Sequence, residues 1–176
     1  MVYDDTHTRG VGLSARHTVG PGQNAYYRWN RSFSGWSSWY GRVYVWFDQD
    51  PTGDLRLIRS KDASGLGFAV DLLRNGQLRV KDSLNRSVAQ TRTSITTGAW
   101  VRIEWHVDLS SRQIEVRLYN SPNSTVPSEA IVTSAGIAIP STMSEIQIGR
   151  SGSQSFSAVF WTDDPGISAL GFLGPV

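Results

Sequence analysis

The sequence predicts an all-β fold built from two packed antiparallel sheets. Three observations predict it. The stretch Gly98 to Asn120 alternates strictly on both sides of a short polar turn. Val101, Ile103, Trp105 and Val107 face one way, with Ile114, Val116 and Leu118 after the turn at Leu109 to Arg112. Arg102, Glu104 and His106, with Glu115, Arg117 and Tyr119, face the other way. That pattern is an antiparallel hairpin with one buried face. Second, roughly a dozen such segments, separated by Gly, Pro, Asn and Asp clusters, fill the chain. Third, the 176 residues hold 17 glycines and 11% aromatics, which suits a turn-rich β protein. Glutamates are few (Glu104, Glu115, Glu129, Glu145), and no convincing helix is seen.

Taken in order, Val11, Leu13 and Ala15 alternate before the turn Gly20-Pro21-Gly22, and Asn24 to Trp29 forms a second strand. Asn30 to Ser38 is a loop rich in Ser, Gly and Trp. Trp39 to Phe47 is a strong strand, with Val43, Val45 and Phe47 on one face and Arg42, Tyr44 and Trp46 on the other. Asp48 to Asp54, DQDPTGD, is a turn, and Leu55 to Ser60 a strand. Gly67 to Leu73 and Gln77 to Asp82 pair about Arg74-Asn75-Gly76, where Asn-Gly tolerates positive φ. Ser87 to Arg92 precedes the central hairpin. Ala130 to Ser134 and Glu145 to Gly149 are short strands after the polar loop Ser121 to Glu129. Phe156 to Thr162 is the last strand, with Asp163-Asp164-Pro165 expected to end its pairing.

A chain of this length fits one domain, residues 1–176, with a core large enough to need no staples. It has no cysteine, so a disulfide framework and a thiolate metal site are excluded. There is no run of 18 apolar residues and no hydrophobic core near the N-terminus, so neither membrane insertion nor a signal peptide is expected. The net charge of +2 is spread thinly along the chain, almost all of it arginine, so nucleic acid is not an expected partner.

The order of motifs carries a resemblance. A WY-rich strand with a polar face is followed by LLRNGQLRV, GAWVRIEWHVD, QIEVRLYN, EIQIGRS and a closing FWTDD…GFLGP. Over about residues 11 to 175 this resembles the concanavalin A-like lectin/glucanase jelly roll in its laminin-G-like form. The resemblance implies a two-sheet jelly-roll sandwich, found as a module in secreted bacterial proteins and phage tail proteins, whose ligands lie across one concave sheet or on rim loops.

Chemistry can then be sought residue by residue. Glycosidases resembling this fold place Glu, Asp and Glu alternately along one strand, because acid and nucleophile roles need two close carboxylates. Here Glu104-Trp105-His106-Val107-Asp108 puts Glu104 and His106 on one face, with Asp108 at the strand end and no second Glu following. The lyase pattern of this fold is not matched by Arg102, His106, Arg117 and Tyr119 either. No nucleophile elbow, phosphate loop or histidine pair at zinc spacing occurs. The expectation is a non-enzyme. For metal, Asp48, Asp50 and Asp54 resemble half of an oxygen-ligand loop, and Asp163 and Asp164 form a second acidic pair that in this fold orients the chain or binds calcium. Ca²⁺ is therefore an expected cofactor, with turn capping by the same aspartates as the alternative.

Aromatic residues give the positive signal. Tyr26, Tyr27, Trp29, Phe33, Trp36, Trp39 and Tyr40 cluster around one loop, and Trp36 stands outside any apolar alternation. An exposed ring offers a flat apolar face to sugar C–H groups while its polar edge stays wet. Alternation places Tyr44 and Trp46 beside Arg42, Arg102, Glu104, His106, Arg117 and Tyr119 if those strands are neighbours. The sequence reading is a non-catalytic carbohydrate-binding module of a larger secreted or virion-associated protein, with glycan or polysaccharide as partner and the extracellular space or virion surface as its place. The alternative is a structural or assembly domain of a phage tail or capsid surface, touching other chains of that assembly; a polysaccharide lyase or glycosidase is a distant third.

Overall fold

The computed structural model describes residues 1–10, 12–30, 36–63, 65–152 and 154–176. Its strands are β1 (Val2–Asp4), β2 (Ser14–Val19), β3 (Ala25–Asn30), β4 (Ser38–Trp46), β5 (Leu55–Asp62), β6 (Gly65–Leu72), β7 (Gln77–Lys81), β8 (Ser87–Ser94), β9 (Trp100–Asp108), β10 (Gln113–Tyr119), β11 (Glu129–Val132), β12 (Glu145–Arg150) and β13 (Ala158–Ser168). No helix occurs among the described residues. One sheet has the order β1-β2-β13-β4-β9-β10-β11, the other β3-β12-β5-β6-β7-β8, and every pairing is antiparallel. This is the predicted two-sheet jelly-roll sandwich.

The hairpin that opened the reading forms as alternation demands. Gln113 pairs with Asp108 and Tyr119 with Arg102, and Arg112 takes a positive φ in the turn. β4 lies on the other side of β9, with Val43 opposite Ile103 and Val45 opposite Val101. Val43, Ile103, Trp105, Val107, Ile114, Val116 and Leu118 are fully buried against Leu57, Phe68, Val70, Leu78, Val80, Ile146 and Ile148 of the second sheet. An aromatic pair joins the layers, Trp39 of β4 meeting Phe68 of β6 at 5.9 Å, while Phe47, just after β4, stacks on Phe160 of the neighbouring β13 at 5.1 Å within one sheet.

Two differences from the sequence reading matter for the site. β1 was not anticipated; three residues are too few to show a period. β13 does not end at Asp163. Asp163 pairs with Tyr44, and the next pair in register is Gly166 with Arg42, so Asp164 and Pro165 form a bulge. The bulge is what lets a proline, which cannot donate, sit inside a strand. Asp164 takes a φ of 42° there, and the strand resumes to Ser168.

Gly41 shows how closely the core is fitted. It lies opposite Trp105 on β9, and the indole occupies the space where a side chain would begin. A Cβ at position 41 would come within 2.1 Å of the Trp105 ring, and Trp105 is fully buried with nowhere to go. Gly41→Ala is therefore expected to destabilise the domain by about 1–3 kcal/mol or more through overpacking, read as a fall in the urea midpoint with an unchanged slope.

Candidate functional site

The register brings the predicted polar residues together on the outer face of the seven-stranded sheet. Arg42 lies opposite Glu104, Tyr44 opposite Arg102 and Tyr40 opposite His106. Arg117 lies opposite Glu104 from the other side, Glu115 opposite His106 and Tyr119 opposite Arg102. The three sets do merge into one surface, but that surface is not open. Tyr44 is 0%, Arg102 1%, Glu104 1% and Tyr119 2% exposed, and Arg42 is buried as well.

The chain's own ends cover it. The Gly174 N–H donates to Glu104 Oε1 at 2.7 Å, and Arg42 Nη1 donates to the Gly174 carbonyl at 2.8 Å. The Val176 N–H donates to the Tyr44 hydroxyl at 3.3 Å. Phe172 lies under the Arg117 guanidinium at 3.5 Å and edge-on to Tyr40 at 5.0 Å. From the N-terminal side, Arg9 lies 3.7 Å above the Tyr44 ring and donates to Val176 O at 2.6 Å. The loop after β10 completes the roof, with Arg102 donating to the carbonyls of Pro122 and Ser124 at 2.6 Å each. Charged groups taken out of water need such partners. The expected stacking platform is thus corrected: Tyr44 presents no free face. Trp46 is half-buried, its indole N–H donating to Asp48 at 2.8 Å and its ring held between His7 and Trp100. His106 and Arg117 are half-buried beside Phe172. Trp36 folds back and packs against the core as a partly buried residue, while Phe33 lies outside the described residues.

The acidic candidates do not converge. Among the described residues, no group of three or more His, Cys, Asp or Glu side chains is placed to hold a metal ion. Asp48 is engaged by Trp46 and by His7 at 3.4 Å. Asp54 takes the Arg79 guanidinium at 2.9 Å and the Arg74 N–H. Asp164 is bound by Arg9 at 3.1 Å, and Asp163 accepts the N–H groups of Asp164 and Arg9. These carboxylates cap turns and pair with neighbouring side chains.

A different place gathers rings and free polar groups. At the lateral edge, β3 ends one sheet and β1 and β2 end the other. There the sheets part around a pocket of about 260 Å³ lined by Tyr3, Leu13, Ala15, Tyr27, Arg28, Trp29, Thr162, Asp163 and Pro165. Its shape follows from the sequence. Alternation along Ala25-Tyr26-Tyr27-Arg28-Trp29 turns Tyr27 and Trp29 inward, and among the described residues no further strand pairs with β3 on its outer side. The two rings meet edge to face at 5.6 Å. Tyr3 on β1 is 70% exposed. The bulge at Asp164 and Pro165 places Asp163 and Pro165 on the rim. A smaller hollow of about 90 Å³, lined by Thr8, Gly10, Gly12 and Asp164, adjoins it and shares Leu13 and Asp163. By contrast, the comparable hollow beside Phe47, Asp48, Asp50 and Val159 has one ring, Phe47, which is buried.

The wall behind the pocket is set by His17, which is fully buried. Its Nδ1 lies 2.9 Å from the Ala25 carbonyl and its Nε2 2.8 Å from Thr162 Oγ1. A carbonyl only accepts, so Nδ1 carries the proton, and bare Nε2 accepts from the Thr162 hydroxyl. The lone pairs of Thr162 Oγ1 then remain as acceptors at the pocket. The Tyr27 hydroxyl lies near Thr162 without a well-formed hydrogen bond to it. Burial pushes the Tyr27 phenol above its ordinary range. Burial, with Asp164 beside it, raises the Asp163 carboxyl against the pull of its backbone donors.

Sequence reasoning saw Tyr27 and Trp29 only as members of an aromatic cluster and missed Tyr3, Leu13, Arg28 and Thr162. The available signal was the alternation of AYYRWN. The partners across the gap come from three distant segments.

No family model matches the chain, and no curated protein does. Its fold is shared with solved structures. A sialidase superposes over 90% of this chain with a TM-score of 0.62 at 14% identity. A Trypanosoma rangeli sialidase in complex with sialic acid does so over 90%, with a TM-score of 0.58 at 15% identity. The chain spans only 15% and 25% of those two proteins. A native heptameric SAP-like pentraxin from Limulus polyphemus matches over 86% of this chain and 74% of its own, with a TM-score of 0.51 at 12% identity. At such identities the likeness is one of fold: the concanavalin A-like jelly roll, a fold that carbohydrate-active proteins share.

The His17 arrangement predicts a pH dependence. Burial drives its pKa from 6.5 down to about 4, against the smaller opposing effect of the Ala25 hydrogen bond. The unfolded chain therefore binds a proton that the folded chain refuses. Stability is complete above pH 6.5 and is lost as pH falls toward 4, by roughly 2–3 kcal/mol between neutrality and pH 4.5. Urea unfolding at the two pH values should show this loss in the natural chain and a smaller one in His17→Phe.

Proposed function

We propose that the chain is a non-catalytic glycan-recognition module of a larger secreted or surface-assembled protein, and that it holds sugar in the edge pocket between β1, β2, β3 and β13. One observation carries the reading: Tyr3, Tyr27 and Trp29 converge with Thr162, Asp163 and Arg28 on a single concave site. Sugar sites combine a ring face for C–H groups with a few convergent hydrogen-bonding groups. A pocket of about 260 Å³ lies just under the size range of drug-sized ligand sites and suits one sugar ring with its neighbour protruding. The sharing of this fold with sialidases supports a carbohydrate role. The span of 15–25% of those chains supports a part within a larger protein.

The non-catalytic part of the proposal rests on the best acid candidate. Glu104 is buried, bonded to the Gly174 N–H and 3.6 Å from Arg102. It is occupied in holding the C-terminal segment and has no room to meet a substrate.

The affinity expected of so shallow a site is on the order of 10⁻³ to 10⁻⁵ M. Trp29→Ala should weaken glycan binding at least about tenfold, a loss of roughly 1.4 kcal/mol. Because Trp29 also touches the core, the exposed Tyr3 provides the second variant: Tyr3→Ala should weaken binding in a domain of unchanged stability. Trp46→Ala should leave binding as it is. Titration of the three variants checks this. Loss confined to Trp46→Ala would place the site on the outer sheet face, and binding to no glycan would favour an assembly role, for which the exposed Val2, Tyr3 and Leu13 offer an apolar edge.

A further inference from the structure

Resting on that reading, we infer that the edge pocket selects uncharged, hydroxyl-rich sugars and turns away sugars that carry a carboxylate. The geometry points to this through the acceptors and the charge that the wall offers; its donors, the Tyr3 and Tyr27 hydroxyls and the Trp29 indole N–H, serve either kind of sugar. Thr162 spends its proton on His17, so toward the pocket its oxygen accepts. Asp163 is an acceptor throughout; the Asp164 N–H at 2.8 Å and the Arg9 N–H at 3.3 Å leave it further lone pairs. The adjoining hollow adds Asp164. Hydroxyl groups donate to such a wall. A carboxylate only accepts, and would meet like charge.

The described cations nearby each have a carboxylate partner. Among the described residues Arg28 is the one arginine lining the pocket; it lies 3.7 Å from Glu145, with about half of its side chain exposed. Arg9 is the nearest guanidinium on the Asp163 side. It is held by Asp164 at 3.1 Å, by Asn123 at 2.7 Å and by the Val176 carbonyl at 2.6 Å. Arg16 on β2 faces the outer side, 3.7 Å from Asp4 and over the Trp161 ring. Charges at the pocket therefore come as one matched Arg28–Glu145 pair and an unmatched Asp163. A bidentate arginine fork aimed into the cavity, the device that captures carboxylates, is not formed by any of these three.

The test is a glycan array of matched pairs, followed by titration of the best pair. The pairs are lactose-terminated glycans with their sialylated forms, and homogalacturonan oligomers as methyl esters and as free acids. The uncharged member should bind at least about tenfold more tightly, and Asp163→Asn should shrink that ratio to within about threefold while uncharged sugar still binds. Should Asp163→Asn fail to fold, the ratio for the natural chain should narrow between low salt and about 0.5 M salt. An acidic member that binds equally or better, with its binding lost in Trp29→Ala, overturns the charge selection but keeps the glycan site. A ratio unmoved by both Asp163→Asn and salt overturns it too. Binding to no member of any pair removes the glycan reading itself, and the selection with it.

Discussion

The buried carboxylate of Glu104 is the constraint around which the outer half of the molecule is arranged. Alternation on β9 fixes Ile103 and Trp105 in the core, so Glu104 must project to the other side of the sheet with Arg42, Arg102 and Arg117 around it. Such a group cannot be left dry and unpaired. The answer in this chain is a peptide roof. The C-terminal segment gives Glu104 a backbone donor and gives Arg42 a backbone acceptor. Phe172 fills the space beneath Arg117, and Arg9 joins the roof to the bulge through Asp164. A face that reads as a ligand platform is consumed in holding the chain's own ends.

That consumption bears on where a ligand is proposed to enter. With both faces of the seven-stranded sheet committed, one to the core and one to the terminal segments, the sandwich still offers its lateral edge, where strands run out. Among the described residues β3 pairs with one strand, β12, so Tyr27 and Trp29 stand at the border of the sandwich. The bulge at Asp164 and Pro165 serves both regions: Asp164 anchors Arg9 over the outer face, and Asp163 and Pro165 line the edge pocket. His17 couples the pocket wall to stability. Burial keeps it neutral, and its two hydrogen bonds turn the acceptor side of Thr162 toward the pocket.

The fold was legible in the sequence because period-two alternation is a local signal with a single geometric meaning. Val101 to Val107 and Ile114 to Leu118 could only be inward, and Asn75-Gly76 could only turn. Strand neighbours were legible in part: the merging of Arg42, Glu104 and Arg117 on one face follows from the hairpin plus β4. What covers that face was not. The segment Leu170 to Val176 has no alternation and no capping motif, and its contacts are with residues far away in the chain. The edge pocket was illegible for the same reason. Tyr3, Tyr27 and Thr162 lie in three distant segments, and one of their strands is three residues long. The acidic turn shows how little spacing says of side-chain partners: Asp48, Asp50 and Asp54 are close in sequence, but Asp48 is bound by Trp46 and His7 and Asp54 by Arg79.

The central claim is that ligand enters at the lateral edge and not on the outer sheet face. Tryptophan indole N–H signals report on both places in one spectrum, since Trp29 lines the pocket while Trp46, Trp100 and Trp161 pack together on the outer face. A nitrogen–proton correlation spectrum recorded while an uncharged oligosaccharide is added measures this directly. The account predicts that the Trp29 signal moves with ligand concentration and that those of Trp46, Trp100 and Trp161 stay in place. Movement of the latter three with Trp29 unchanged would contradict it.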